Sequence, residues 1–209
     1  MTLLYIVRHG NTFEANEAPR RIGARTDLPL AASGLAQAQA LGAHFARTGV
    51  RFARALSSSL RRTQGTAEAI LARQPHPLVL EPADFLAEID HGPDENQTED
   101  IVLSRIGRAA LDLWDTEAVP PPGWDVRADW RRERWLEFAS EALAAHRDDA
   151  ILLVTSNGAG RFALSAFGLK PGGKAGSVKF RTGSYGIIEA GGSGRFRLLD
   201  WDRRPDAAG

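Results

Sequence analysis

The sequence predicts an α/β fold in three layers: a mainly parallel sheet flanked by helices and carrying a helical insertion. Three observations predict it. Apolar runs at residues 2–7 and 150–155 have the length and unbroken character of strands buried on both faces. Helical patterns alternate with the predicted strands, as they must to cover a parallel sheet on both sides. Residues 93–148 break that rhythm with two helical stretches in succession and read as an insertion in a single domain spanning 1–209.

The elements follow in chain order. Leu3-Leu4-Tyr5-Ile6-Val7 forms the first strand, and the polar, Gly/Pro-marked segment 12–30 is a loop. Ser33 is the expected N-cap of a helix reaching Arg47, with Leu35, Leu41 and Phe45 on its apolar side and Gly49 as its stop. A short strand at 53–57 leads into a helix over 60–73, ended by Pro75 and Pro77. Residues 78–81 suggest a third strand. Thr98 caps a helix reaching Trp114, with Glu99 and Asp100 favourably placed in its first turn. Pro120-Pro121-Pro122-Gly123 breaks the chain, and a helix over 125–146 follows with Trp130, Trp135 and Phe138 toward the core. After the strand at 150–155 come a helix over 159–167 and a hairpin, 185–190 with 196–199, joined across Gly191-Gly192-Ser193-Gly194. The tail from Arg203 is expected to fray.

Composition excludes several classes of function. Lys plus Arg number 26 and Asp plus Glu number 26, so no net charge favours nucleic acid or an anionic membrane. Cysteine is absent, which removes disulfides and thiolate metal sites, and His9, His44, His76, His91 and His146 lack metal-ligand spacing. No metal site is expected. The first apolar run meets Arg8 and is too short for a signal peptide or a spanning helix, so a cytoplasmic location is the default. Oligomeric state is not readable.

Four clusters carry candidate chemistry. Arg8-His9-Gly10-Asn11 closes the first strand, where open α/β sheets place their ligands. Arginine grips a phosphoryl group with a planar fork, and a neutral histidine nitrogen can attack phosphorus if a carbonyl fixes the other nitrogen. Ser57-Ser58-Ser59-Leu60-Arg61-Arg62-Thr63 opens a helix after the second strand; arginines at a helix N-terminus are electrostatically unfavourable unless an anion sits there. In Leu86-Ala87-Glu88-Ile89-Asp90-His91-Gly92, Glu88 is the candidate general acid, since a carboxyl sharing a pocket with an anionic substrate tends to keep its proton. Thr155-Ser156-Asn157-Gly158 is a small-residue turn into a helix, where backbone N–H groups and the Asn157 amide can face an anion. Each cluster also has a plain reading, as a solvated strand end, a basic helix turn, an acidic loop and a tight turn.

Taken together, in this order, the clusters resemble the histidine phosphatase superfamily, which includes phosphoglycerate mutases. Arg8-His9-Gly10 is similar to its RHG signature, and Ser58-Ser59-Leu60-Arg61-Arg62-Thr63 to its S-x-L-x-R-A segment, which aligns Arg62 with the phosphate-binding arginine. Leu86-Ala87-Glu88 through Gly92 resembles L-x-E-x-x-x-G, with Glu88 as proton donor. Asp27-Leu28-Pro29-Leu30, Gly34 and Gln37-Ala38 resemble a further family stretch. The resemblance implies a phosphohydrolase acting on a small phosphorylated substrate through phosphohistidine at His9. Arg8, Arg62, Asn157 and Asn11 would bind the phosphoryl group, and no metal or organic cofactor is implied. Arg20, Arg21 and Arg25 fall in the loop that covers the pocket in this family, where they either hold a second anionic group of the substrate or form a solvated basic loop; Arg21, Arg25 and Thr12 are the candidate substrate contacts. Lys179, Arg181, Thr182 and Ser184 are expected to form an ordinary turn, and Trp114, Trp130 and Trp135 to be helix core.

The sequence departs from the family at one position that matters. Asn157 stands where the family's V-S-H-G carries a second histidine, and loss of one preorganised donor costs on the order of 100- to 1,000-fold in rate. Asparagine keeps a donor but lacks the charge. This leaves two alternatives to a phosphohydrolase: a catalytically weak relative that binds phosphorylated ligands, or a phosphoglycerate mutase. His91 is expected to face solvent, with a rescue role in the pocket as the lesser alternative.

Overall fold

The computed structural model describes residues 1–171 and 177–205. Six strands form one sheet in the order β3-β2-β4-β1-β5-β6: β1 (Thr2–Arg8), β2 (Phe52–Ser57), β3 (Leu80–Pro82), β4 (Ala150–Thr155), β5 (Tyr185–Gly191) and β6 (Arg195–Arg203). The pairings β3·β2, β2·β4 and β4·β1 are parallel, whereas β1·β5 and β5·β6 are antiparallel. The sheet is thus mainly parallel with an antiparallel hairpin at one side, as the two apolar runs and the glycine-rich turn predict.

Five helices cover the two faces: α1 (Ala32–Arg47), α2 (Arg61–Leu71), α3 (Glu99–Glu117), α4 (Ala128–Ala145) and α5 (Asn157–Ala166). Because side chains alternate along a strand, the two faces of β1 and β4 feed separate cores. Tyr5, Val7, Leu152 and Val154 pack with Leu41, Phe45 and Ile70 of α1 and α2. Leu4, Ile6, Ile151 and Leu153 pack with Trp114, Trp135, Phe138 and Phe162 of α3, α4 and α5. The stretch 93–148 therefore contributes Trp114 and Trp135, both fully buried, to the main core. Trp130 is only half-buried, with the Arg127 guanidinium 4.3 Å from its ring centroid. Among the described residues no helix is long and apolar enough to cross a membrane, and no cluster of His, Cys, Asp or Glu could hold a metal ion.

Several boundaries differ from expectation, each for a long-range reason. Ser33 is not the N-cap of α1; the helix begins at Ala32, whose N–H is taken by the Glu14 carboxylate at 2.6 Å. Leu35 is exposed, because the buried stripe runs through Gly34, Ala38, Leu41, Gly42 and Phe45. Asp125 does not open α4: its backbone pairs with that of Asp90, and the helix starts three residues later. The third strand is displaced toward Pro82, and α5 begins two residues earlier than predicted, at Asn157. Arg203 belongs to β6, where it pairs with Tyr185; the rest of the tail from 206 lies outside the described residues.

Candidate active site

The carboxyl ends of β1 and β4 lie side by side, with Arg8 opposite Thr155. The chain leaving β1 is pinned at once: the His9 N–H donates to the Thr155 carbonyl at 3.1 Å, and the Gly10 N–H to Thr66 Oγ1 at 3.1 Å. Glycine at 10 is required by α1 rather than by an anion, since a Cβ there would lie 2.2 Å from the Gly34 carbonyl oxygen. Gly34 is reciprocally constrained, because its own Cβ would lie 2.0 Å from the Asn11 carbonyl oxygen.

His9 is buried at the floor of a cavity of about 390 Å³. Its Nδ1 lies 2.7 Å from the Gly10 carbonyl oxygen, and a carbonyl only accepts, so Nδ1 carries the proton and Nε2 the lone pair. Burial, then Arg62, then Arg8 hold its imidazole well below the ordinary histidine value, against the opposing Gly10 bond. The ring is neutral at physiological pH, the state a nucleophile needs.

Two guanidinium groups act on it electrostatically: Arg8 lines the cavity, and Arg62 is buried outside the lining. Arg62, wholly buried in the first turn of α2, donates to the carbonyls of Thr26 (2.8 Å) and Gly23 (3.1 Å). Arg8 donates to the Phe180 carbonyl. The Nε of each is buried without a hydrogen-bond partner. Burial pulls Arg8 down to about 10, Glu88 opposing and Arg62 adding to the fall; burial also lowers Arg62, with Glu88 opposing. Buried cations are ordinarily paired with carboxylates, yet these two donate to carbonyls, which leaves their charge for an anion.

Glu88 is buried and lines the same cavity. Its carboxylate accepts the N–H of Ile89 (2.9 Å) and, at the N-terminus of α5, that of Gly158 (3.2 Å). Gly158 admits it by lacking a side chain, for a Cβ there would stand 2.2 Å from Glu88 Oε1. Arg131 of α4 fixes the segment from behind, donating to the carbonyls of Phe85, Ala87 and Glu88. Thr155 Oγ1 adds a bond to the Leu86 carbonyl.

Asn157 does not line the cavity. Its Oδ1 accepts the Phe180 N–H at 2.8 Å, so the peptide links flanking Phe180 are held by Asn157 on one side and Arg8 on the other. The Phe180 ring stacks on Trp201 of β6, centroids 4.1 Å apart. Asn11 and Thr12 do line the cavity, and so does Thr182, whose hydroxyl donates to Asn11 Oδ1. The segment forms the expected turn, the Ser184 N–H donating to the Arg181 carbonyl at 3.2 Å, and this turn places Thr182 on the cavity wall.

The rim arginines are elsewhere. Arg21 pairs with Glu99 at 2.7 Å, and Arg25 with Asp90 at 2.9 Å and with the Gly92 carbonyl. Neither lines the cavity. His91 neither faces solvent nor enters the cavity: it is buried edge-on to Trp124, ring centroids 4.6 Å apart, beside Glu95. Burial alone would raise the Glu95 carboxyl, but bonds from His91, Thr26 and the Gly23 and His91 N–H groups outweigh it and hold the group at about 2. Sequence reasoning passed over Thr66, Thr182 and Arg131 as supports of the site, and noted Glu95 only as the acid kept from the family's G-x-W-E-G segment. Only Thr66 carried a local signal, one helical turn beyond Arg62.

A profile of the histidine phosphatase superfamily (branch 1) matches residues 4–203. The chain belongs to the histidine phosphatase superfamily. A 2,3-bisphosphoglycerate-dependent phosphoglycerate mutase of Rhizobium etli (strain ATCC 51251 / CFN 42) is 33% identical over 132 residues, which are 62% of each chain. A second such mutase, from Rhizobium etli strain CIAT 652, is 29% identical over 74% of each chain. The YhfR structure of Bacillus stearothermophilus superposes with a TM-score of 0.73 at 25% identity, covering 95% of this chain and 96% of that one. A mycobacterial glucosyl-3-phosphoglycerate phosphatase superposes with a TM-score of 0.78 at 22% identity, over 97% and 99%, which shows a shared histidine phosphatase fold.

Proposed function

We propose that the chain is a phosphomonoesterase working through phosphohistidine. One observation carries the reading: a buried histidine with its lone pair on Nε2 shares a cavity with Arg8 and Glu88 and feels the charge of Arg8 and Arg62, neither of which has a carboxylate partner among the described residues. In the first step His9 Nε2 bonds to phosphorus, the P–O bond to the alcohol breaks, and Glu88 gives its proton to the departing oxygen. In the second, Glu88 takes a proton from water, the water oxygen bonds to phosphorus, and the P–N bond breaks to release inorganic phosphate. Arg8 and Arg62 spread their charge over the oxygens throughout. Asn157 stands outside the cavity lining, and with Oδ1 committed to Phe180 only its amide N–H is left to turn toward the same anion. Asn11 and Thr12 border it.

The experiment is hydrolysis of p-nitrophenyl phosphate with acid-quench detection of a histidine-linked phosphoryl group. His9→Ala is expected to lower turnover about 1,000-fold or more and abolish the adduct. Full turnover by that variant would refute the reading. A mutase is the second reading, favoured by the names of the Rhizobium relatives; phosphoryl return to a phosphoglycerate hydroxyl, faster than release of free phosphate, would establish it.

A further inference from the structure

Above the anion-binding floor, the cavity wall is made by the loop that follows β1. Phe13, Ala15, Pro19 and Ile22 give it an apolar surface, and its charged members are Glu14 and Glu17. Both carboxylates are fixed there. Glu14 Oε1 accepts the Ala32 N–H at 2.6 Å, and Glu17 Oε2 accepts the Glu14 N–H at 2.9 Å. The cations that the loop carries in sequence are turned to other work. Arg21 and Arg25 are ion-paired with Glu99 and Asp90, and the Arg20 guanidinium lies over the Phe13 ring, 5.6 Å from its centroid, outside the cavity lining. A leaving group that fills this cavity therefore meets carbon and two negative charges.

We propose that the site selects phosphomonoesters whose alcohol has an apolar body and a cationic end, the class of phosphorylated amino alcohols and arylalkylamines, and discriminates against alcohols bearing a second anion. The inference rests on the phosphomonoesterase reading. A second phosphate or carboxylate against this loop would be repelled by Glu14 and Glu17, because the loop's own arginines are engaged elsewhere and Arg204 stands beside Thr182, donating to its carbonyl, whereas an ammonium would be attracted by the two carboxylates to a degree that salt screens.

Three esters of one scaffold test it: phenyl phosphate, para-(aminomethyl)phenyl phosphate and para-(carboxymethyl)phenyl phosphate, in which the methylene insulates the leaving oxygen from the added charge. The expected order of kcat/KM is aminomethyl, phenyl, carboxymethyl, with the two ends about tenfold or more apart at low ionic strength and converging as salt is added. Glu17→Lys, a change at an exposed position, is expected to collapse or reverse that ratio. A carboxymethyl ester used as well as the aminomethyl one, or a ratio untouched by Glu17→Lys, would overturn the proposal. If none of the three is hydrolysed, the reading of the reaction fails by itself, and the order of equilibrium dissociation constants for the same esters decides the selectivity.

Discussion

At the floor of the cavity stand His9 and Glu88, with Arg62 buried behind the lining, and all three are held by backbone groups: the Gly10 carbonyl, the Thr26 and Gly23 carbonyls, and the Ile89 and Gly158 N–H. At the rim, a loop of half-exposed side chains is arranged by ion pairs with distant residues, Arg21 with Glu99 and Arg25 with Asp90. The difference teaches where charge is available. A guanidinium that donates to carbonyls keeps its charge for a ligand, whereas one facing a carboxylate has spent it. Two arginines of the same loop cluster in sequence can thus be irrelevant to an anion while a third, 37 residues after Arg25, is central to it.

The sharpest way to break this comparison is to swap arginines at the two levels. Arg62→Lys removes the planar fork and its paired carbonyl bonds, and kcat/KM for p-nitrophenyl phosphate is expected to fall about 100-fold. Arg25→Gln should leave it within about threefold; comparable losses in the two variants would erase the distinction between floor and rim. A smaller effect concerns the proton on His9. Its folded value is depressed, so the unfolded chain binds that proton first as pH falls, and stability declines below about 6.5 at up to about 1.4 kcal/mol per pH unit. In His9→Asn this slope should be absent between pH 6.5 and 5, as read by urea midpoints; identical slopes in both proteins would place the histidine in water. The smallest expected effect is a gain. In Asn157→His, Nδ1 can accept the Phe180 N–H while Nε2–H faces the anion, and turnover is expected to rise up to about tenfold. An unchanged or lower kcat would detach position 157 from the phosphoryl group.

Much of the floor was legible in the sequence because its information is local. Arg8, His9 and Gly10 stand at the end of an unmistakable buried strand; Asn157 follows another that pairs with it residue by residue, yet its side chain turns to Phe180 and stays out of the cavity lining. Arg61 and Arg62 in a first helical turn hinted at an anion, and the resemblance to the family's S-x-L-x-R-A segment chose Arg62 between them. The rim was not, because nothing near Arg21 or Arg25 announces Glu99 or Asp90 as partner. The same holds for the start of α1, where the cap comes from Glu14 across the loop and not from the adjacent Ser33. The buried face of α1 was hidden for another reason: Gly34 admits the Asn11 backbone and Gly42 the α2 backbone at Ala69 and Ile70, and small residues leave no hydrophobic pattern to read.

Phe180 gives the last strand a bearing on the first. Arg8 and Asn157 grip its backbone, and Trp201 clamps its ring, with room made by Gly186, where a Cβ would stand 2.5 Å from the indole. During synthesis on the ribosome, His9 emerges well before Trp201. The guanidinium beside the nucleophile gains its anchor only when β6 arrives, so a nascent chain lacking that strand would carry every acid, base and cation of the floor and still hold them loosely.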